Sequence, residues 1–358
     1  MRAADTDEKV SGKPKPKSLE ALAKEGRAEE LLERLEAGED AELARLFERA
    51  VTDFRTIRRR SGHAEILRSC IERGLDLGAR PDWSRQTVVS LAAQYGRLEI
   101  VERMIRQGLP DDPFSRASVG DVHFIRQLGE DLSSRHDVNG FNLLFSCAGS
   151  ALGKHDPQLR RQLTELCALL LARGVDPNHT VESNMPLSAT LFCCWFGGNE
   201  DVLRQLLQVT TPSIEDALHC IEFCLEPHQR SGGPHDLLAA VFLAAGYDIN
   251  ALRPSQGRTL LHGAANRGTL LAVDWLLANG ADCNARDTSG GTPLHAAAKR
   301  NTSTGVVERL LHAGANIRVE DDAGRIPLDV AQENGRTKVA SLLSSHRTES
   351  SHDERPLE

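Results

Sequence analysis

Four groups of residues in this chain of 358 have the types and spacing for chemistry. Cys220, Cys224 and His228 fall at i, i+4 and i+8, with His219 and His235 nearby, so a continuous helix would align three metal ligands. Pro227 predicts that this helix stops first, no paired C-x-x-C supports a zinc knuckle, and the competing reading is buried structural thiol. Ala148–His155, with Gly149, Gly153 and Lys154, imitates a phosphate loop. It lacks the first glycine in register and the hydroxyl after the lysine, and it follows a helix rather than a strand. Arg55, Arg58, Arg59 and Arg60 could dock phosphate, nucleic acid or an acidic segment; otherwise they are a solvated helix end. Thr259 with His262, and Thr292 with His295, pair a hydroxyl with an imidazole, but they recur inside repeated helix caps, which makes them structural. No metalloprotease, serine-hydrolase, dinucleotide or kinase signature is present, and repetition leaves no stretch for a separate catalytic domain. The expectation is a non-enzyme with no cofactor and no bound metal.

The elements that would carry these residues repeat. GRTLLHGAANRGTLLAVDWLLANGADCNARD begins at Gly257 and GGTPLHAAAKRNTSTGVVERLLHAGANIRVED at Gly290, so Thr259 and Thr292 stand 33 residues apart. A third copy, GRIPLDVAQENGRTKVASLL, begins at Gly324. Thr292 is a helix N-cap and Pro293 suits the first helical position. Ala297 and Ala298 admit a close neighbouring helix. Asn301 stands where Gly268 and Gly335 end the first helix, and Val306, Val307, Leu310 and Leu311 mark a second helix closed by Gly314.

This unit resembles the ankyrin repeat, through Thr292–His295 as T-P-L-H, its weaker form Thr259–His262, and the G-A-D-x-N turn of Gly280–Asn284. The resemblance implies an all-α repeat solenoid of stacked helix-turn-helix units joined by β-hairpin-like fingers. It also implies a local hydrogen bond from the histidine that locks each finger-to-helix junction. Thr87–Gly108, Asp112–Leu128, Asn139–Asn178, Met185–Leu207 and Ser213–Asn250 read as degenerate copies. Leu43–Ile57 with AEILRSCIERG forms another, and Leu19–Gly38 is an N-terminal cap, for about ten units. The expected layout is a disordered tail over 1–17, an array over 18–345 and a disordered tail over 346–358. Within the array, 18–80 is degenerate with the cap, 81–252 is degenerate with insertions at about 149–160 and 226–235, and 253–345 is regular. The insertions read either as an accessory surface or as tolerated loops.

In the family, partners touch the finger positions before the threonine and the two residues before the glycine that ends the first helix. Carried over, these are Thr288, Ser289, Gly291, Lys299 and Arg300; Ser255, Gln256, Arg258, Asn266 and Arg267; and Trp83, Ser84, Gln86, Gln94 and Tyr95. Trp83 and Tyr95 stand out because aromatics make up only 4% of the chain. Exposed, they would be interface anchors; otherwise they tuck against the next unit.

Forty-three basic against 51 acidic residues give a net charge of −8, which favours protein over nucleic-acid partners. Residues 18–42 are acidic and 43–80 basic. The longest nearly apolar stretch, Leu237–Gly246, is half of what a bilayer needs, and the N-terminus lacks an apolar signal region. Eight cysteines scattered through apolar patterns read as reduced buried thiols. The function implied is a monomeric, cytoplasmic or nuclear module that binds a protein partner as scaffold, adaptor or steric inhibitor.

Overall fold

The computed structural model describes residues 17–38, 42–51, 61–81, 86–129, 131–154, 156–181, 187–225, 236–300 and 304–350. Short polar side chains start most units. Ser18, Thr87, Asp112, Asn142, Ser188 and Thr259 each accept a backbone N–H of the first helical turn, a contribution of about 1 kcal/mol per cap.

Each first helix packs on the second helix that follows it. Leu19–Glu25 lies on Ala28–Glu36, Leu43–Val51 on Ser61–Glu72, and Val88–Gln94 on Leu98–Gln107. Pro113–Ser118 lies on Val122–Gln127, Leu143–Ala148 on Pro157–Ala172, and Ala189–Phe192 on Glu200–Val209. Ile214–Leu225 lies on Asp236–Ala244, Leu260–Arg267 on Leu270–Ala278, Pro293–Arg300 on Gly305–His312, and Pro327–Glu333 on Thr337–Ser350. First helices stack on first helices through alanines and small apolar residues, such as Ala264, Ala265, Ala297 and Ala298, all buried. The stack is tightest between Leu260–Arg267 and Pro293–Arg300 and loosens between Ile214–Leu225 and Leu260–Arg267.

Hairpin fingers join the units. In three of them the backbone of an aspartate closes the turn both ways: Asp137, Asp287 and Asp321 donate their N–H to the carbonyls of Phe141, Gly291 and Arg325, and their own carbonyls accept the N–H of Gly140, Gly290 and Gly324. Arg253 holds the same place opposite Arg258 and Gly257. All four glycines have positive φ, between 61° and 82°, which a residue with a Cβ reaches only under strain. A further finger pairs Thr180–Val181 antiparallel with Leu187–Ser188. Asparagines tie one turn to the next: Asn250 Nδ2 donates to Gly280 O at 3.1 Å while its Oδ1 accepts Asp282 N–H, and Asn284 does the same toward Gly314 and Asn316.

Two apolar clusters form the core. One runs from Leu19 to Met104 and takes in Val119 and Leu152; the other runs without interruption from Ala117 to Leu343. The insertion after Ala148 takes neither expected form at its described start. Ala151–Lys154 makes a 3₁₀ turn with Ala151, Leu152 and Gly153 buried, packed against both Val88–Gln94 and Cys193–Gly197. Residues 151–153 of the insertion are therefore part of the packed interior. The insertion at 226–235 lies outside the described residues. In the Met185–Leu207 copy the first helix, Ala189–Phe192, continues into a π-turn, Cys193–Gly197, where a Cβ on Gly197 would collide with Ala148 O.

At the ends the layout needs correction. Lys17, assigned to the N-terminal tail, pairs with Glu25 at 2.6 Å. The last helix runs to Ser350, past the expected tail start at 346, with neither proline nor glycine between Leu343 and Ser350 to stop it.

Candidate interaction surface

The threonine–histidine pairs decide whether this chain offers chemistry or a surface. Thr292 N–H donates to His295 Nδ1 at 3.1 Å, so Nε2 carries the proton and donates to Arg325 O at 2.9 Å. His262 likewise spans from Thr259, at 2.8 Å, to Gly291 O at 3.1 Å. Each imidazole therefore fastens its own cap to the finger of the following unit, a longer reach than the local bond expected. Burial pushes both below the ordinary imidazole value, against the carbonyl bond that favours the proton. Both nitrogens are engaged and both rings are buried, which leaves neither able to serve as a base for a substrate.

The fingers are braced by carboxylates. Asp287 Oδ1 accepts from Ser289 N–H, Ser289 Oγ and Gly291 N–H at 2.7–2.9 Å, and Arg258 Nε donates to Oδ2 at 3.2 Å. Burial raises the Asp287 carboxyl, but these donors together hold it below its usual range. Hydrogen bonds from Arg325 bring Asp321 down to about 2. Adjacent fingers join through Thr288 N–H to Gly257 O and Asp322 N–H to Ser289 O, both 3.0 Å.

Of the residues expected to meet a partner, Gln256, Arg267, Thr288, Ser289, Lys299 and Arg300 are exposed, as is Ser255. Gln86, Gln94, Arg258 and Asn266 are half-buried, and Gly291 is buried. Ser255 is engaged by Glu215 through both N–H and Oγ. Trp83 and Ser84 lie outside the described residues, as do Arg55, Arg58, Arg59 and Arg60. Tyr95 does not stand outward as an anchor. It is half-buried and meets the Phe196 ring edge-on at 6.1 Å.

That contact opens a row the sequence reading did not single out. Trp195 stacks on Phe196 at 5.0 Å and on Phe223 at 5.4 Å, and both Trp195 and Phe223 are half-buried. Phe223 adjoins Glu222, whose carboxylate takes Arg267 and Arg253 at 2.5 Å each. Arg267 and, one unit on, Lys299 and Arg300 continue along the ends of the first helices. The row thus passes from aromatic to basic. The rule of two residues before the closing glycine points to this region in the 185–207 unit, but the π-turn shifts the register, so Trp195 and Phe196 precede Gly197 rather than Gly198.

Cys220 and Cys224 are buried in Ile214–Leu225, and Pro227, His228 and His235 lie outside the described residues. Among the described residues no group of three or more ligand-type side chains could hold a metal ion. All eight cysteines are free and buried. Burial pushes the Cys70 thiol up to about 12 and raises Cys193 as well. Lys154, from the phosphate-loop lookalike, lies over Gly198, and burial draws it down to about 8. No described helix is long and apolar enough to cross a membrane.

A family model described as ankyrin repeats (3 copies) matches residues 231–321 and 261–354. No curated protein matches the chain.

Proposed function

The chain is an ankyrin-repeat-containing protein, with the repeats matched over residues 231–354, and from that premise we propose that it is a non-enzymatic module receiving a protein partner along its first-helix ends and fingers. Ankyrin repeats are generally protein–protein interaction modules. The observation that carries the reading further is the aromatic-to-basic row from Trp195 through Phe223 and Arg267 to Lys299 and Arg300. Half-buried aromatics held by stacking, followed by exposed cations, are the composition of interface anchors. Such a surface is preformed, so association loses little ordering entropy. The fingers contribute Gln256, Thr288 and Ser289 at its rim.

In this reading the helix pairs are ten repeat units in one array from 18 to 345, and the monomer acts as scaffold, adaptor or steric inhibitor in the cytoplasm or nucleus. Eight buried, reduced thiols suit a reducing compartment. The test is quantitative capture of partners on the wild type, followed by binding titration of each captured protein against Lys299→Glu/Arg300→Glu and against Trp195→Ala. We expect at least tenfold weaker binding, about 1.4 kcal/mol, for either variant with its unfolding midpoint checked. Affinity unchanged in both would overturn the reading.

A further inference from the structure

Two histidines stand on successive fingers, apart from the capping pairs and from the row of first-helix ends. His136 precedes the finger of Asp137–Phe141 and pairs through its backbone with Asn142, and His179 precedes the strand Thr180–Val181. Asn142 Nδ2 ties the two loops together through Asp176 O at 2.8 Å. The ring centres are 4.7 Å apart, with the planes tilted by 48°. His136 is exposed, and His179 is half-buried with its ring edge-on to Phe145 at 6.1 Å.

Backbone carbonyls fix the proton on each ring. His136 Nδ1 lies 3.0 Å from Ser134 O, and His179 Nε2 lies 2.7 Å from Gly140 O. A carbonyl only accepts, so both nitrogens carry the hydrogen, which leaves lone pairs on Nε2 of His136 and Nδ1 of His179. Neither of these has a hydrogen-bond partner among the described residues. An imidazole that gives its N–H to a backbone carbonyl and keeps the other nitrogen bare is arranged as metal ligands are.

Spacing and charge agree with that arrangement. A metal about 2.1 Å from an imidazole nitrogen lies about 3.2 Å from the ring centre, so two rings with centres 4.7 Å apart subtend about 95° at it. This falls between the octahedral and tetrahedral angles. The loops 131–142 and 173–181 carry Asp131, Asp137 and Asp176 against Arg135 and Arg173, a net negative charge that favours a cation. These carboxylates are engaged elsewhere: Asp131 by Ser133 and Ser134, Asp137 by Asn139 and Phe141, and Asp176 by Asn178. The protein therefore supplies two ligands here, and no third side chain converges on them.

We propose that His136 Nε2 and His179 Nδ1 bind one divalent ion of the zinc class, with water in its remaining positions. Imidazole suits zinc, nickel and copper, whereas calcium and magnesium require oxygen ligands. The ion clips one finger to the next, adding to the bonds that Asn142 and His179 already make between them.

The test is titration of metal-stripped full chain with zinc in competition with a chromophoric chelator. We expect one ion per chain in the micromolar range and an unfolding midpoint that rises as zinc is added. His136→Ala, at an exposed position, and His179→Gln, which keeps a donor for Gly140 O, are each expected to weaken binding at least tenfold. His123→Ala, at an exposed position on another element, is expected to leave it unchanged. With copper(II) in place of zinc, electron spin resonance is expected to show two coupled nitrogens in the wild type and one in His136→Ala. Four results would overturn the proposal: a wild type that binds no zinc; affinity indifferent to His136→Ala and His179→Gln; one ion shared between two chains; or a loss in His123→Ala as large as in His136→Ala.

Discussion

In the units from 257 onward, His262 and His295 reach the next finger by hydrogen bond, and between 139 and 225 phenylalanines take over the same task. Phe145 occupies the histidine position of its unit. It stacks on Phe141 at 4.7 Å and meets Phe192 at 5.1 Å, and Phe192 passes the contact to Phe196 at 5.4 Å. The same place in the repeat can thus be filled by a directional polar bond or by a large apolar surface. The first demands a carbonyl at a fixed distance and so preserves the 33-residue period; the second tolerates extra residues, and this is where the π-turn and the 151–154 insertion are found. The two regimes meet at Glu222, Arg253 and Arg267, where an ion network replaces helix packing.

The comparison breaks most readily in the aromatic half. Phe145→Ala removes a fully buried ring and is expected to cost about 4 kcal/mol in chemical denaturation, with loss of cooperativity centred on 139–225. Next is the junction. Glu222→Ala strands the buried Arg253 guanidinium and is expected to cost about 3 kcal/mol, splitting one unfolding transition into two; a single unshifted transition would refute the junction's role. In the regular half, His295→Ala removes one of the two donors to Arg325 O and takes from the buried Thr292 N–H its Nδ1 acceptor, a loss of about 2 kcal/mol.

Acid sharpens the contrast. Folding lowers the pKa of both imidazoles below the 6.5 of the free side chain, so the unfolded chain binds protons first. Stability of the 257–343 region is therefore full above that value and falls as pH drops through it, while the phenylalanine-linked region stays level over the same window. Hydrogen exchange at pH 7.5 and 5.5 reads both at once. The smallest effect is expected from Lys299→Glu/Arg300→Glu, within about 0.5 kcal/mol of wild-type stability, because both side chains are exposed.

How much of this could be read from the residues follows the same divide. T-P-L-H at 292–295 and the 33-residue spacing locate helices, caps and fingers in the C-terminal units because each unit meets its neighbour through the same short motif. Exposed Lys299, Arg300, Thr288 and Ser289 follow from that register alone. Phe145 in a histidine position leaves no such trace, since an aromatic there looks like any core residue. The Glu222–Arg253–Arg267 network joins two helices to a loop 31 residues from its carboxylate, with no periodicity to announce it. For Tyr95 the residues leave both an outward and a tucked placement open, because the ring it meets, Phe196, comes from three units along the chain.

The buried thiols make these differences measurable without a label. A cysteine whose proton is held this tightly reacts only when its surroundings open. Cys70 lies in the first cluster, Cys147, Cys193 and Cys194 in the aromatic region, and Cys283 beside the histidine-linked units. Timed exposure to a thiol reagent, read by peptide mass, would therefore return a separate opening frequency for each stretch of the stack from a single tube of unmodified protein.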